Sequence, residues 1–482
     1  MIKRQSATTN INFRASISKV VLTCTDFVLF NAAPWIAAGM VYLLWGNLSA
    51  YIPSDEIQPR LSAHLMLSMV CVLWFWLRLR HYTYRKPFWF ELKEVLRTII
   101  VFAVIDLAIV AFSKLYVSRY LWVFTWSSAL VLIPLGRIVA KTVLARLDLW
   151  AKQSVIIGTG PNAKDAYHAI TSERSMGFDV QYFFGASAPQ PDRLLNLPVL
   201  TDQNTLWRTT DPRNTQFFVA VEYEEERQRE YWIKNLATHH CRAVSVIPTT
   251  SGIPLNSTDM SFIFSHEVLI LRVNNNLTKR SARILKRSFD ITGSLLIMLL
   301  LSPVLLGLAL YIRRDGGRAF YGHERVGRNG RKFKCWKYRS MVVNASDILM
   351  RLLADDAQAR AEWEKDFKLK NDPRITRVGA FIRRTSMDEL PQLWNVLKGE
   401  MSLVGPRPIV AAELERYADD ADYYLMAKPG MTGLWQVSGR NDVDYDKRVY
   451  FDAWYVKNWS LWNDIAILFK TVNVVLKRDG AY

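Results

Sequence analysis

Residues 289–312 read FDITGSLLIMLLLSPVLLGLALYI, and this stretch decides how the last part of the chain folds. It is long and apolar enough to cross the hydrocarbon core of a bilayer as a helix. Basic residues flank it on both sides, Lys286 and Arg287 before it and Arg313 and Arg314 after it. Because Lys and Arg beside membrane segments mark the cytoplasmic side, this pattern poorly fits a helix with ends on opposite sides.

A serine and a proline lie in the middle of the stretch. Proline lacks the backbone N–H that a helix interior requires, and it frees the carbonyl one turn earlier. Since a serine hydroxyl can bind such a carbonyl, Ser302 and Pro303 predict a built-in bend. We therefore expect residues 289–312 to form a re-entrant helix that enters and leaves the membrane on one face. The alternative is an ordinary kinked transmembrane helix.

The composition indicates a membrane part joined to soluble domains. The chain has 482 residues, half of them hydrophobic and 12% aromatic, which is too long for one ordinary domain. Its net charge of +18 predicts an anionic partner. The apolar segments favour membrane lipids or a phosphate-bearing substrate, so we expect no nucleic acid. The four cysteines lack paired or metal-ligand spacing, which favours reduced thiols and cytoplasmic soluble parts.

Four apolar stretches occupy the first third of the chain, at residues 20–45, 61–79, 95–112 and 120–144. Each is near spanning length, so residues 1–150 are predicted to form a four-helix transmembrane bundle. The N-terminal tail and the second loop are rich in Lys and Arg, which places both in the cytoplasm together with everything after the bundle. Asp26 and Asp106 lie within apolar stretches, where they either serve a function or pair inside the bundle.

A different pattern begins after residue 150. Residues 154–157 form a short apolar strand, and a turn with Gly158 and Gly160 leads into a helix, as at the start of a Rossmann-like unit. Later apolar strands extend this to a parallel α/β domain over residues 151–276. The turn is a weak nucleotide signal, because no clear acidic residue for a ribose follows a second strand. A structural or regulatory domain is favoured, with a working dinucleotide site as the alternative.

The segment after the bent stretch is strongly basic. Residues 325–341 read RVGRNGRKFKCWKYRSM, and Arg325, Lys337 and Arg339 are candidate phosphate ligands. Glycines allow close backbone approach, while Lys and Arg neutralise phosphate charge. Its position after a membrane segment favours a lipid phosphate or a nucleotide-sugar phosphate. The alternative is a solvated face that only touches lipid headgroups.

Two adjacent carboxylates, Asp388 and Glu389, form the second candidate. An Asp-Glu pair alone is uninformative, but Arg384 precedes Asp388 by one helical turn and is predicted on the same helix face. A tight turn with Arg407 and a glycine-rich segment ending at Arg440 follow. Adjacent helical side chains point in different directions, so one carboxylate can attack or bind metal while the other orients. Together these groups indicate phosphoryl transfer, in which Mg²⁺ and arginines lower the charge of a diphosphate.

Several short motifs occur in the order typical of one family. Besides the Ser-Pro bend they include KYRSM at 337–341, DELPQ at 388–392 and PGMTG at 429–433. The chain therefore resembles the bacterial sugar transferases, which are monotopic phosphoglycosyl transferases, closely over residues 279–482. One departure is His323-Glu324 before Arg325, where many relatives carry a glutamine.

The resemblance implies a mainly α-helical catalytic domain over residues 277–482 with a re-entrant membrane helix. It implies that Asp388 is the nucleophile that takes a sugar 1-phosphate from a UDP-sugar and releases UMP. Glu389 would assist, and Mg²⁺, with Asp388 as a ligand, would neutralise the diphosphate. Undecaprenyl phosphate would then attack the intermediate. A homodimer in the bacterial inner membrane is also implied.

Over its whole length the chain resembles members that use UDP-galactose and initiate O-antigen synthesis. UDP-glucose is the alternative donor, because the two epimers differ in one hydrogen-bond direction. A rival of another class is a membrane-tethered nucleotide sensor or oxidoreductase that works through Gly158 and Gly160. The predicted fold class is thus a membrane α-helical bundle, an α/β Rossmann-like domain and a mainly α catalytic domain with a re-entrant helix.

Overall fold

A computed structural model of the protein describes residues 2–113, 116–185, 192–249, 258–262, 269–273, 277, 279–356, 358–360, 363, 369, 372–439 and 444–477. Contacts divide the chain into two compact units, Met1–Ser251 and Gly252–Tyr482. The division into three domains at residues 150 and 276 is finer than this and stays a prediction.

Four long helices form the first part of the first unit. They are α1 (Ile2–Trp45), α2 (Ser54–Leu77), α3 (Phe88–Ser113) and α4 (Arg119–Arg146). Each is long and apolar enough to span a membrane, and most of its apolar surface is not covered by protein. The four apolar helices predicted from the sequence are therefore confirmed as helices.

The two acidic side chains inside this bundle are paired. Asp26 accepts hydrogen bonds from Arg137 Nη2 and from the Tyr82 hydroxyl, each at 2.6 Å. Asp106 accepts two hydrogen bonds from Arg60, at 2.9 and 2.6 Å. A buried carboxylate is tolerated in an apolar bundle when a cation and further donors neutralise it. The pairing favours a structural role for both residues.

A sheet with helices on both faces completes the first unit. Its strands are β1 (Lys152–Ile157), β2 (Phe178–Phe184), β3 (Arg193–Leu194), β4 (Leu197–Leu200), β5 (Gln216–Val219) and β6 (Ala243–Val246), in the order β3-β4-β2-β1-β5-β6. Every pairing is parallel except that of β3 with β4. The connecting helices are α5 (Pro161–Ser172), α6 (Gln203–Thr209) and α7 (Glu226–Thr238). Alternate residues of β1 enter two cores, Val155 with Trp232 of α7 and Ile156 with Ala163 of α5. The predicted parallel α/β architecture is confirmed.

The glycine turn between β1 and α5 is closed by a glutamate. Glu222 Oε1 accepts a hydrogen bond from the backbone N–H of Asn162, in the first turn of α5, at 2.8 Å. A side chain at Gly160 would clash with this carboxylate, and Gly158 has a φ of +129° and lies against the Ala220 carbonyl. Rossmann domains hold a ligand's phosphates at this helix N-terminus. Here a carboxylate of the protein takes that position, which favours the structural interpretation of the turn.

Removing this carboxylate is expected to loosen the turn and open an anion site. In Glu222→Ala the Asn162 N–H loses its partner, which costs about 1–2 kcal/mol of stability. Phosphate ions should then slow hydrogen exchange of the α5 amides in the variant and leave the same amides of the wild type unchanged. The exposed neighbour Glu224 provides the control variant, Glu224→Ala. Phosphate protection of α5 in the wild type would show that the turn is an open site.

The second unit is mainly helical and contains short two-stranded sheets. Its helices are α8 (Arg280–Ile312), α9 (Ala345–Asp355), α10 (Arg377–Arg384), α11 (Gln392–Lys398), α12 (Ala411–Leu414), α13 (Ala421–Met426), α14 (Tyr445–Lys457) and α15 (Leu461–Lys477). Its strands are β7 (Thr258–Phe262), β8 (Leu269–Val273), β9 (Phe320–Val326), β10 (Lys332–Tyr338), β11 (Ser402–Val404) and β12 (Gly430–Thr432). Strands β7–β8 and β9–β10 pair antiparallel, and β11–β12 pair parallel. The prediction of a mainly α C-terminal part is confirmed.

Helix α8 contains the bent stretch and continues through its proline. The Ser302 hydroxyl donates to the carbonyl of Leu299 at 2.8 Å. Leu299 lies four residues before Pro303, so the hydroxyl takes the carbonyl that the proline leaves without a backbone donor. The predicted hydrogen bond is thus present. Near this hydrogen bond the surface of the helix is not covered by protein, since Leu299 and Leu300 are 74% and 77% exposed.

Both halves of α8 pack against the rest of the second unit. In the first half, Lys286 Nζ donates to Asp464 Oδ2 at 2.8 Å. In the second half, Leu305 and Ile312 pack in one cluster with Tyr338, whose hydroxyl donates to the Leu305 carbonyl at 2.8 Å. The two ends of this helix are therefore fixed to one compact body.

Candidate functional site

A cleft in the second unit collects most of the residues that the sequence singled out. Its volume of about 930 Å³ lies in the usual range for small-molecule sites. The predicted site residues on its wall are Arg325, Lys337, Arg339, Asp388, Glu389 and Arg407. Arg440 lies outside the described residues, and Arg384 is not on the wall.

Asp388 and Glu389 lie on a turn between two helices. The preceding helix, α10, ends at Arg384, and Ser386 adopts a left-handed conformation with a φ of +55°. The turn Met387–Glu389 is a separate 3₁₀ segment. The prediction that Arg384 and Asp388 share a helix face is therefore wrong, because the helix ends at Arg384 and the left-handed Ser386 changes the direction of the chain before Asp388.

Arg383 takes the place in the cleft that the sequence assigned to Arg384. Arg384 is exposed, whereas Arg383 is half-buried on the cleft wall. Its Nε donates to the Ser340 hydroxyl at 2.8 Å, and among the described residues its terminal nitrogens have no hydrogen-bond partner. The signal for this exchange was Thr385-Ser386, because both residues favour helix ends over helix interiors.

Lys337 lies beside both carboxylates. Its Nζ is 2.6 Å from Glu389 Oε1 and 4.0 Å from Asp388 Oδ2. The side chain of Asp388 is 15% exposed, against 35% for Glu389. Burial raises the pKa of Asp388 to about 6, and the negative Glu389 adds to this while Lys337 and Arg383 oppose it. The two carboxylates thus occupy different environments, as different chemical roles require.

Arg339 is largely committed to the fold. Its guanidinium donates to the carbonyls of Ile312, Arg318 and Met341 and pairs with Asp315. These contacts occupy four of its five N–H groups. The residue therefore ties the end of α8 to the end of β10. One of its N–H groups remains for the predicted role in phosphate binding.

Arg325 and Arg407 have more of their donors available. Arg325 Nη1 is 3.6 Å from Glu413 Oε1. The Arg407 guanidinium lies 5.4 Å from the centre of the Trp435 ring, and within the described part of the chain its side chain has no hydrogen bond or ion pair. Both side chains line the cleft, so their charge is open to an anionic ligand.

The carboxylates fit a Mg²⁺ ion that arrives with a diphosphate. Among the described residues there is no group of three or more His, Cys, Asp or Glu side chains placed to hold a metal ion. Mg²⁺ usually binds one or two carboxylates together with substrate phosphates and water. Asp388 and Glu389 supply such a pair in a cleft that Arg383 and Arg407 suit to phosphates.

The wall of the cleft carries both cationic and apolar side chains. Arg325 pairs with Phe333, four residues before Lys337, so its position on the hairpin of β9 and β10 lies about 13 Å along the strand from that of Lys337. The wall also includes Leu349 and Met350 of α9. The cleft that holds the carboxylates can therefore contact charged and apolar groups of a ligand.

Two family models match the chain. Residues 281–478 match the bacterial sugar transferase family, and residues 80–245 match a CoA-binding domain. The residues of the glycine turn do not fit a bound diphosphate, because Glu222 already holds the N-terminus of α5.

Two relatives match nearly the whole chain, and a third matches less than half of it. It is 58% identical over 470 residues to the undecaprenyl-phosphate galactose phosphotransferase of Salmonella typhimurium, and the match covers 98% of each chain. It is 59% identical over 471 residues to the UDP-galactose-lipid carrier transferase of Erwinia amylovora, with the same coverage. Over 209 residues it is 43% identical to the UDP-glucose:undecaprenyl-phosphate glucose-1-phosphate transferase of Escherichia coli, which is 42% of either chain. The chain belongs to the bacterial sugar transferase family.

Proposed function

We propose that this protein transfers galactose 1-phosphate from UDP-galactose to undecaprenyl phosphate, which gives undecaprenyl-diphospho-galactose and UMP. The observation that carries this is the partly buried Asp388 carboxylate, with Lys337 at 4.0 Å, in a cleft of substrate size lined by several cationic side chains. The relatives that match over the full length are named for galactose. We place the reaction at the start of O-antigen or other surface-polysaccharide synthesis.

The same reaction with UDP-glucose is the second candidate. It is favoured by the relative from Escherichia coli, whose name specifies glucose. That match covers 42% of the chain, whereas the galactose relatives cover 98%. Galactose is therefore the first choice.

The proposed reaction has two displacements at one phosphorus atom. The Asp388 carboxylate attacks the phosphorus that carries the sugar, and the bond from this phosphorus to the oxygen of the UMP leaving group breaks. An oxygen of undecaprenyl phosphate then attacks the same phosphorus and releases the carboxylate. Arg383 and Arg407 neutralise the phosphate oxygens, and Lys337 holds Glu389 in place. A bound Mg²⁺ ion would supply further neutralisation of the diphosphate, with Asp388 and Glu389 as its protein ligands.

A re-entrant course for α8 is supported by its packing. A straight helix of 33 residues is about 50 Å long, more than the roughly 30 Å of the hydrocarbon core. Lys286 near one end and Ile312 at the other both contact the same compact unit. A simple span would separate these ends by the whole bilayer. We therefore propose that α8 dips into the membrane and returns, which holds the cleft at the bilayer surface.

We further propose that the protein resides in the inner membrane with its soluble parts in the cytoplasm. Among the described residues five helices are long and apolar enough to span a membrane, and α8 is one of them. The basic N-terminal tail and second loop support a cytoplasmic location for both. A homodimer and the domain boundaries at residues 150 and 276 are proposed from the family resemblance and the sequence pattern.

A UMP-release assay with purified protein tests the function. The wild type should release UMP from UDP-galactose faster than from UDP-glucose, and Asp388→Asn should slow release on the order of 10³-fold or more, because the amide cannot attack phosphorus. The exposed Asp419 provides the control variant, Asp419→Asn. Faster turnover of UDP-glucose would favour the second candidate.

The pH profile of the same assay tests the role of Asp388 independently. Since only the ionised carboxylate attacks, kcat/KM should fall about tenfold per pH unit below a pKa of about 6. Full turnover by Asp388→Asn would contradict the mechanism.

Arg383 and Arg384 form a matched pair for testing phosphate binding. Arg383→Ala should raise KM for UDP-galactose about tenfold to a hundredfold, because a charged hydrogen bond to phosphate is lost. Arg384→Ala should stay within about twofold of the wild type, since its side chain is exposed outside the cleft. Equal effects of the two changes would restore the assignment of Arg384 made from the sequence.

Labelling of single cysteines tests the course of α8. Arg283→Cys and Tyr311→Cys place thiols at exposed positions near its two ends. Both should react with a membrane-impermeant maleimide in inverted vesicles and not in intact spheroplasts. Ser49→Cys, in the loop between α1 and α2, should show the opposite pattern. Reaction of the two α8 cysteines from opposite sides would establish a simple span.

A further inference from the structure

Helix α9 presents an apolar surface to the catalytic cleft. It has no buried side chain, and Leu349 and Met350 both line the cleft. Met350 is 65% exposed, as is Val343 just before the helix, which lines the cleft as well. Apolar side chains left open beside a reaction site indicate a ligand with an apolar part. A UDP-sugar has no such part.

The wall of the cleft is joined to α8. Tyr338 lines the cleft and also binds the Leu305 carbonyl of α8 through its hydroxyl. Next to this carbonyl, Leu306 is 63% exposed, and Leu310 is 59% exposed one turn later. Exposed apolar side chains are therefore present both in the cleft and on the helix that contacts its wall.

The chemistry of the reaction brings two unlike ligands to one position. In the second displacement the acceptor phosphate enters in line with the bond to Asp388, at the position that the UMP phosphate has left. The nucleoside of the donor and the chain of the acceptor differ in the surface that each needs beside this position. Arg325 and Arg407 on the cleft wall suit the phosphates of the nucleotide, and the apolar side chains of the wall suit the chain.

We infer that the α9 surface, defined by Val343, Leu349 and Met350, binds the first isoprene units of the polyprenyl acceptor. This assignment rests on the proposed function and extends it to residues for which the sequence motifs gave no role. It makes α9 a determinant of acceptor affinity and of the preference for long chains. The first displacement does not involve this surface.

The two displacements can be measured separately, so the role of α9 in acceptor binding can be tested apart from the reaction with the donor. Leu349→Asn with Met350→Gln should leave the single-turnover release of UMP, measured without acceptor, within about twofold of the wild type. KM for undecaprenyl phosphate should rise about tenfold to a hundredfold, because two apolar contacts are lost. KM for farnesyl phosphate, which has fewer isoprene units to bind, should change less.

Ile348→Asn is the matched control, because Ile348 belongs to α9 and does not line the cleft. An equal rise in acceptor KM for this variant, or reduced binding of both variants to vesicles without acceptor, would show that α9 docks on the membrane surface and would overturn the inference. An equal loss of UMP release and acceptor use in the double variant would also overturn it, as a defect in folding. Absence of UMP release from the wild type would instead refute the proposed function.

Discussion

The buried contact between Lys286 and Asp464 joins the membrane helix to the catalytic core. The Lys286 ammonium donates to Asp464, to the Tyr455 hydroxyl and to the carbonyl of Val404. Asp464 is fully buried and also accepts hydrogen bonds from Tyr455 and Trp459. A buried ion pair contributes little net stability when complete, but loss of one partner costs about 3–5 kcal/mol. The contact therefore fixes where α8 lies more than it adds stability.

This anchor also positions the cleft. Val404 ends β11, and the turn that follows carries Arg407 into the cleft. At the other end of α8, Arg339 binds the Ile312 carbonyl and begins the segment that holds Ser340 beside Arg383. The same helix thus fixes two walls of the site from its two ends. A tilt or shift of α8 would therefore change the spacing of these walls.

Local patterns in the sequence predicted the elements and much of the site. The apolar helices, the parallel sheet and the hydrogen bond of Ser302 all follow from rules that act within a few residues. The end of α10 was missed: Thr385-Ser386 favours a helix end, but this preference is weak and does not specify the left-handed conformation of Ser386. Three of the four contacts of Arg339, and the contact of Glu222 with the glycine turn, join residues distant in sequence. A motif identifies which side chains are present, and the fold decides which of their donors remain free.

The unequal environments of Asp388 and Glu389 explain how one dipeptide can supply two functions. Glu389 is the more exposed of the two and is neutralised by Lys337 at 2.6 Å, so its charge is held in place. Asp388 is more buried and lies 4.0 Å from the same ammonium, so its charge is only partly compensated. Burial that raises a carboxylate's pKa also leaves it less hydrated and more basic, which in the proposed mechanism favours attack on phosphorus. In that mechanism a closer lysine would lower the reactivity of Asp388, and full exposure to water would lower it as well.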